Sequence, residues 1–156
     1  MPKVRKEKKK KKPKLKAQKP IKHILTIAGK RKRAIAKATI KQGSGTVRIN
    51  KRPIEAFSFL RRLKLIEPLR LAQDILKDKL QNIDINVNVR GGGVESQVEA
   101  SRLAIARALV AFTQSEELKK AYLGYDRFLL VADVRRKEMR KPGDSKARAK
   151  RQKSYR

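Results

Sequence analysis

The most restrictive feature of this chain is a seven-residue segment, 83–89, in which apolar and polar side chains alternate without a fault. A period of two predicts a β-strand with one buried face and one wet face. Gly91, Gly92 and Gly93 end this strand, and residues 94–112 then have the composition of a helix. The strand requires a sheet, and the helix follows it closely enough to cover that sheet.

The apolar residues of segment 94–112 recur at helical spacing. They form one stripe, made of Val94, Val98, Ile105, Leu109 and Phe112. Such a stripe predicts a helix that packs on one face of the sheet.

Local patterns predict the elements that precede this unit. Residues 24–28 and 34–41 are predicted strands, joined by the basic run 29–33. The Gly43-Ser44-Gly45 turn leads into residues 46–49, which suggests a hairpin. Pro68 indicates a first helical turn, and the helical spacing after it continues to about residues 81–82.

Two elements are predicted near the end of the domain. Ser115 and the two glutamates after it indicate the start of a short helix that ends near Gly124. Residues 128–132 are a predicted last strand. The order of elements predicts an α+β domain, a mixed sheet with helices packed on one face.

Charge divides the chain into three parts. The chain has 44 Lys and Arg against 14 Asp and Glu, a formal charge of +30, and two-thirds of that excess lies at the two ends. Residues 1–22 are predicted to be a disordered lysine-rich extension, residues 23–134 a globular domain, and residues 135–156 an extended basic tail, because the ends lack the apolar side chains that a core requires.

Composition also restricts the partners. Such an excess of positive charge calls for nucleic acid, because the basic runs have too few large apolar side chains for a membrane surface. The absence of cysteine excludes disulfides and thiolate chemistry, and a reducing, cytoplasmic location is expected. Seven aromatic residues are too few for base stacking to dominate, so phosphate contact is expected instead.

Few residues suggest chemistry. The glycine triplet could cradle a phosphate at a helix N-terminus, with Arg90 beside it, or it could be only a tight turn. His23 has no second metal ligand near it in sequence, and Asp84 and Asp133 lack a nucleophile and are better partners for Lys or Arg. We therefore predict no enzyme activity, no cofactor, no metal and no small-molecule substrate.

The two basic arms differ in kind. A lysine run such as residues 8–12 is often only a solvated tail or an import signal, although its length favours contact with phosphates. The C-terminal arm mixes arginine with lysine around Pro142 and Gly143. Arginine grips phosphate with two hydrogen bonds and stacks on bases, which favours a defined path through folded RNA.

One group of residues resembles the signature of a known family, the universal ribosomal protein nine of the small subunit. The positions are Gly91-Gly92-Gly93, Ser96-Gln97, Ala100, Ala104 and Ala106-Arg107-Ala108-Leu109. Residues 29–32, 50–53 and 133–135 are also similar to family segments, and residues 152–156 resemble the ending of archaeal and eukaryotic members. The resemblance covers about residues 23–156.

The resemblance implies a fold like the second domain of ribosomal protein five of the same subunit, with a left-handed βαβ unit. It implies a structural constituent of the small subunit that binds rRNA in the head, beside other head proteins, and reaches the anticodon stem-loop of the peptidyl-site tRNA with its tail. Tyr155, which departs from the bacterial ending, and residues 1–22, which lie outside the family pattern, are not covered by this expectation.

The expected site residues follow from the basic segments and the resemblance. Lys153 and Arg156 are the expected tRNA contacts. The expected rRNA contacts are Lys30, Arg31, Lys32, Arg33, Arg90, Gly91, Gly92, Gly93, Arg135, Arg136, Lys137, Arg140, Lys141, Lys146, Arg148, Lys150 and Arg151.

Two other classes of protein remain possible at this point. A chromatin-type protein or a free RNA chaperone would share the charge and would bind nucleic acid without preference. A kinase-like enzyme of related fold would need a nucleotide site at the glycine triplet, although neither the Walker nor the Rossmann spacing is present.

Overall fold

A computed structural model describes residues 24–143, 146–149 and 155. His23, Lys150, Arg151, Lys153, Arg156 and the extension 1–22 lie outside the described residues. The strands are β1 (Leu25–Arg31), β2 (Ala34–Gln42), β3 (Val47–Ile49), β4 (Arg52–Pro53) and β5 (Ile83–Arg90). The helices are α1 (Phe59–Leu76), α2 (Asp78–Gln81), α3 (Val94–Thr113) and α4 (Glu116–Tyr125), with 3₁₀ turns at Ile54–Ala56 and Arg127–Leu129.

The five strands form one mixed sheet in the order β1-β2-β5-β3-β4. Strand β5 is antiparallel to β2 and parallel to β3, so it lies between two strands that follow each other in the chain. The predicted hairpin between β2 and β3 is therefore wrong, and the real hairpin joins β1 to β2. The predicted α+β class, with a mixed sheet and helices, is confirmed.

The turn that follows β2 is hydrogen-bonded to the start of β5, and for this reason β3 does not lie beside β2. The amide of Gly43 donates to the carbonyl oxygen of Asn82, and the amide of Ile85 donates to that of Thr46. The Asp84 carboxylate accepts hydrogen bonds from the backbone amides of Ser44 and Thr46 and from the Thr46 hydroxyl. These hydrogen bonds lower the pKa of Asp84, and the largest effect comes from the Ser44 amide. They also hold the turn against the start of β5, so that β3 pairs with β5 and not with β2.

Alternate residues of β2 and β5 are buried, so the described residues cover one face of the sheet and leave the other open. Helix α3 packs on β1 and β2, and α1 packs on α3. The contact between β1 and α3 is close, since a Cβ on Gly29 would lie 2.4 Å from the carbonyl oxygen of Ala100 and 2.7 Å from the amide nitrogen of Ala104. The predicted stripe of α3 is confirmed except at Val94, which is exposed at the first turn.

Helix α1 begins at Phe59, after Ser58, and not at the predicted proline. Pro68 lies inside the helix, where it is buried against the core and lacks the amide that would bond one turn back. Packing outweighs the local preference at this position. The helical stretch ends near the predicted residues, although a left-handed residue, Lys77, divides α1 from the short α2.

The predicted last strand at residues 128–132 is also wrong. Asp126 accepts a hydrogen bond from the Phe128 amide and begins a 3₁₀ turn, and none of the five strands in the described part of the chain pairs with this segment. Residues 132–141 form neither helix nor strand. Ser115 caps α4 as expected, by accepting a hydrogen bond from the Leu118 amide.

Candidate nucleic-acid interface

The hairpin turn between β1 and β2 carries the first basic cluster. Lys32 has a positive φ of 51° at the tip of the turn, and its side chain and that of Arg33 are exposed. Lys30 is half-buried at the end of β1. Three of the four basic residues predicted here are thus available to a partner.

Arg31, the fourth, is committed inside the protein. Its Nε lies 2.5 Å from Glu99 Oε2, and its Nη1 pairs with the Asp133 carboxylate. The side chains of Arg31 and Asp133 are 18% and 8% exposed, so little of this ion pair faces solvent. Its guanidinium joins β1 to α3 and to the segment that follows the last 3₁₀ turn.

Asp133 also fixes the start of the C-terminal tail. One carboxylate oxygen accepts a hydrogen bond from the Arg135 amide, and the other lies 2.7 Å from Arg135 Nη2. The Arg135 side chain nevertheless remains 77% exposed. Asp133 therefore acts as an anchor for basic side chains, as the sequence predicted, and it sets the direction in which the tail leaves the domain.

The glycine triplet is a tight turn pressed against this hairpin. Gly91 and Gly92 have φ values of 76° and 66°, which favour glycine. A Cβ on Gly91 would lie 2.8 Å from the carbonyl oxygen of Arg33, and one on Gly92 would lie 2.9 Å from the amide of Ala34. Two glycines are thus explained by conformation and close approach, which favours the turn over a nucleotide site.

These elements meet at an open groove of about 1190 Å³. One wall is the β1–β2 hairpin and the other is the beginning of the tail. The lining residues are Lys30, Lys32, Arg33, Ile35, Arg135, Arg136, Lys137, Glu138, Met139 and Arg140. We call this feature the basic groove; it unites two segments that lie a hundred residues apart in sequence.

The remaining predicted contacts extend from the groove. Arg90 is exposed at the end of β5, next to the glycine turn, and Lys141 and Lys146 are exposed along the tail. Arg148 is exposed and pairs with Glu138, its Nε lying 2.9 Å from the carboxylate. The remaining four predicted contacts, Lys150, Arg151, Lys153 and Arg156, lie outside the described residues.

A second ion cluster holds α1, α3 and the last 3₁₀ turn together behind the groove. Arg102 Nε lies 2.6 Å from Glu67 Oε2, and its Nη2 lies 2.9 Å from Asp126 Oδ2. Burial alone would lower the pKa of Arg102, but its hydrogen bonds and ion pairs with Glu67 and Asp126 raise it overall. This arginine is a structural residue.

The arrangement offers anion binding and shows no centre for catalysis in the described ranges. Asp84 holds a turn and Asp133 holds the start of the tail, and both carboxylates accept hydrogen bonds from these segments. No group of three or more potential metal-binding side chains occurs among residues 24–143, 146–149 and 155. In the same ranges, no helix is both long enough and apolar enough to cross a membrane.

Sequence reasoning named Lys30, Arg31 and Arg90 but not three further basic residues of the strands. Lys37, Lys41 and Arg48 share the uncovered face of the sheet with Asn86 and Asn88. The only available signal was the alternation of β2, which places Lys37 and Lys41 opposite the buried alanines. The strand neighbours could not be known without the pairing.

Comparisons with known proteins identify the family of this chain. The family model described as ribosomal protein S9/S16 matches residues 29–156. The chain belongs to this family. The expectation from the glycine and alanine signature is thereby confirmed.

Curated archaeal relatives cover most of the chain. The small ribosomal subunit protein uS9 of Methanococcus maripaludis (strain C5) is 49% identical over 137 residues, 85% of this chain and 98% of the relative. The protein of the same name from Thermoplasma volcanium is 50% identical over 135 residues, 86% of this chain and 98% of its own length. That from Pyrobaculum aerophilum is 49% identical over 134 residues, 85% and 92% of the two chains.

Family membership decides the class of function. The chain is a ribosomal protein of the small subunit, a structural component of cytoplasmic ribosomes, and not an enzyme. The kinase-like alternative is thereby excluded.

Proposed function

We propose that this chain binds the rRNA of the small-subunit head through the basic groove, beside other head proteins, and reaches the peptidyl-site tRNA with its C-terminal tail. The groove supports the proposal most directly. It combines side chains from the hairpin and the tail on one surface, and the glycine turn adds Arg90 beside it. A surface with this charge is suited to the phosphates of a folded RNA.

Each predicted rRNA-binding segment has a distinct task. Lys32 and Arg33 at the hairpin tip offer charge to phosphates, and Arg135, Arg136 and Arg140 add guanidinium groups that can donate two parallel hydrogen bonds. Arg31 acts indirectly, because its ion pairs with Glu99 and Asp133 hold the hairpin and the start of the tail at a fixed separation. The outer residues from Lys141 to Arg151 continue the contact along the tail.

The tail carries the second part of the proposal. In the family resemblance its last residues meet the anticodon stem-loop of tRNA, and Lys153 and Arg156 take that place here. The chemistry available to them is positive charge offered to the tRNA backbone, which holds tRNA without reading its bases. Tyr155 next to the last arginine is 88% exposed and is available to the same partner.

The arms and one detail of the fold belong to the same proposal. We assign residues 1–22 and 135–156 to extended arms that become ordered against RNA. The crossover from β3 through α1 to the adjacent parallel β5 is proposed to be left-handed, as in the second domain of ribosomal protein five. An experimental structure with a right-handed crossover would contradict that detail and leave RNA binding intact.

The first experiment locates the native protein. A cell extract is washed in high salt and fractionated on a density gradient, and mass spectrometry follows the chain through the fractions. We expect the chain in the small-subunit fraction at about one copy per particle, because many phosphate contacts act together. Release into light fractions, or spread over bulk nucleic acid, would favour a chromatin-type protein or a free RNA chaperone instead.

The second experiment tests the groove. Lys32→Gln/Arg33→Gln removes two exposed charges at the hairpin tip, and Lys119→Gln/Lys120→Gln is the matched control, because that pair is exposed on α4. Binding of the full chain to a small-subunit rRNA transcript is measured over a range of salt. The groove variant should lower the salt slope by about two, from a loss of ~0.9 for each phosphate on a duplex. Equal slopes for both variants would place the contact elsewhere.

The third experiment tests the tail. Deletion of residues 153–156 should leave subunit assembly intact and speed the dissociation of tRNA from the peptidyl site. The control is Lys119→Gln/Lys120→Gln, which removes the same number of basic side chains from exposed positions on α4 and leaves the last residues in place. An unchanged rate of tRNA dissociation after the deletion would refute the tail contact alone.

A further inference from the structure

The uncovered face of the sheet is a regular surface that adjoins the basic groove. It spans β1, β2, β5 and β3, and strand spacing makes it about 14 Å wide. We call it the open sheet face. Its side chains are Thr26, Ala28, Lys30, Ile35, Lys37, Thr39, Lys41, Arg48, Asp84, Asn86, Asn88 and Arg90.

The cross-strand register arranges these side chains in rows. Lys37 lies opposite Asn88, and the next row joins Thr26, Thr39, Asn86 and Arg48. These two rows therefore each combine a cation with neutral hydrogen-bonding side chains. The row of Lys30, Ile35 and Arg90 joins the face to the basic groove, since Lys30 and Ile35 also line that groove.

Charge is distributed unequally between the two sides of the domain. The open sheet face carries five basic residues and one acidic residue, Asp84, while the other two basic residues of the strands, Arg31 and Arg52, lie by register on the opposite face. The four helices contain nine basic and seven acidic residues, which makes them nearly balanced. The one acid on the strands is already engaged by the turn amides. The sheet side therefore attracts a polyanion and the helical side does not.

The side chains of the face define how such a partner is bound. The open sheet face has no aromatic residue and only one large apolar side chain, Ile35, which is 39% exposed. Base stacking is thus unsuited to it, as is an apolar protein interface. Lysine and arginine can meet phosphates, while asparagine and threonine can hydrogen-bond ribose 2′-hydroxyls, the groups that helical RNA presents in its minor groove.

We propose that the open sheet face is a second RNA-docking surface, which binds the sugar-phosphate backbone of helical RNA by shape and charge. It rests on the proposed binding of rRNA and extends it from the groove across the sheet. The chain's own basic ends are excluded as occupants by like charge, because residues 1–22 carry 12 basic side chains and one acidic one.

The test uses variants that leave the groove intact. Lys37→Gln/Arg48→Gln removes two exposed cations from neighbouring rows of the open sheet face, and Lys119→Gln/Lys120→Gln on α4 removes the same charge. Binding of the full chain to the small-subunit rRNA transcript is titrated at several salt concentrations. The face variant should lower the salt slope by about two, while the control keeps the wild-type slope.

The outcomes separate this inference from the proposed function. Failure of the wild-type chain to prefer small-subunit rRNA over bulk RNA would refute both. Specific binding by the wild type, with the same slope for the face variant and the control, would refute the open sheet face alone. Loss of slope in the groove variant and in the face variant supports two surfaces.

A second measurement distinguishes RNA from an acidic protein as the occupant. The chain has no cysteine, so Asn88→Cys gives a unique attachment point for a hydroxyl-radical probe near the centre of the face. In subunits reconstituted with this variant, we expect cleavage of the rRNA at one cluster of backbone positions. Incorporation without rRNA cleavage would overturn the proposal and indicate a protein neighbour.

Discussion

The phenol hydroxyl of Tyr122 donates a hydrogen bond of 2.6 Å to the carbonyl oxygen of Pro68. Both residues are buried, and the bond joins α4 to the interior of α1. Burial raises the pKa of Tyr122, so the hydroxyl keeps its proton and remains a donor at any physiological pH. The position of the helix-interior proline in α1 is thus also fixed by a hydrogen bond from α4.

Replacing Tyr122 by Phe tests this contact. The change removes one buried hydrogen bond and no ring atoms, so we expect a loss of about 1 kcal/mol in the free energy of unfolding. Urea unfolding followed by circular dichroism measures it. Tyr155→Phe is the control, because Tyr155 is exposed. Equal stability of the two variants would show that the Pro68 contact contributes nothing.

Replacing Asp133 by Asn tests the anchor of the tail. The variant leaves Arg31 and Arg135 without their shared partner, and breaking a buried ion pair costs about 3 kcal/mol at the lower end of the usual range. The lower end applies because Arg31 keeps Glu99. Thermal unfolding should reveal the loss. Glu138→Gln breaks an exposed pair and should cost less than about 1 kcal/mol; a similar cost for both would refute a buried anchor.

Replacing Gly29 by Ala tests the contact between β1 and α3. The new methyl group would overlap helix backbone, which cannot move without shifting α3, so we expect a loss of about 3 kcal/mol. Gly124→Ala is the matched control, because a Cβ there meets nothing within 4 Å and alanine favours a helix. Denaturant midpoints compare the two. A stable Gly29→Ala variant would mean that strand and helix are further apart than described.

The pH dependence of stability should depend in part on Asp84. Its folded-state pKa lies below the ordinary value of 3.8, so its contribution is present above that value and is lost as pH falls through the lowered pKa. Asp84→Asn should therefore be less stable than wild type at neutral pH, and the difference should shrink in acid. Chemical unfolding at a series of pH values measures this. Thr46→Val removes one of the hydrogen bonds and should reproduce part of the loss; a difference that does not change with pH would contradict the assignment.

The sequence predicted the elements whose period is clear over their whole length. Strand β5 and helix α3 are confirmed. Each element is buried on one side, and this produces a regular pattern of apolar residues that can be recognised in the local sequence. The start of α1 was missed, because a proline is usual in a first turn and here lies in a helix interior that packing stabilises. Local helix propensities do not include the contribution of such tertiary packing.

The candidate site was predictable where it depends on composition and not where it depends on pairing. Lys32, Arg33 and Arg135 could be named from basic runs, while the commitment of Arg31 to Glu99 and Asp133 arises from residues 68 and 102 positions away. The false hairpin has the same cause. Strand β5 enters between β2 and β3 from forty residues further along, and no turn signal at Gly43 could indicate it.

The ion cluster at Asp133 acts as a pivot for the tail. Because Arg135 is held at that point, the 21 residues that follow it can extend no further than about 75 Å, at no more than ~3.6 Å per residue. Under the proposed function, any RNA group that Arg156 contacts must lie inside a sphere of that radius around the pivot. Substitutions at Asp133 would then change the direction of the tail, whereas deletions within residues 136–156 would shorten its reach. If the tail contacts tRNA as proposed, the two kinds of change would remove protection at different positions of the tRNA.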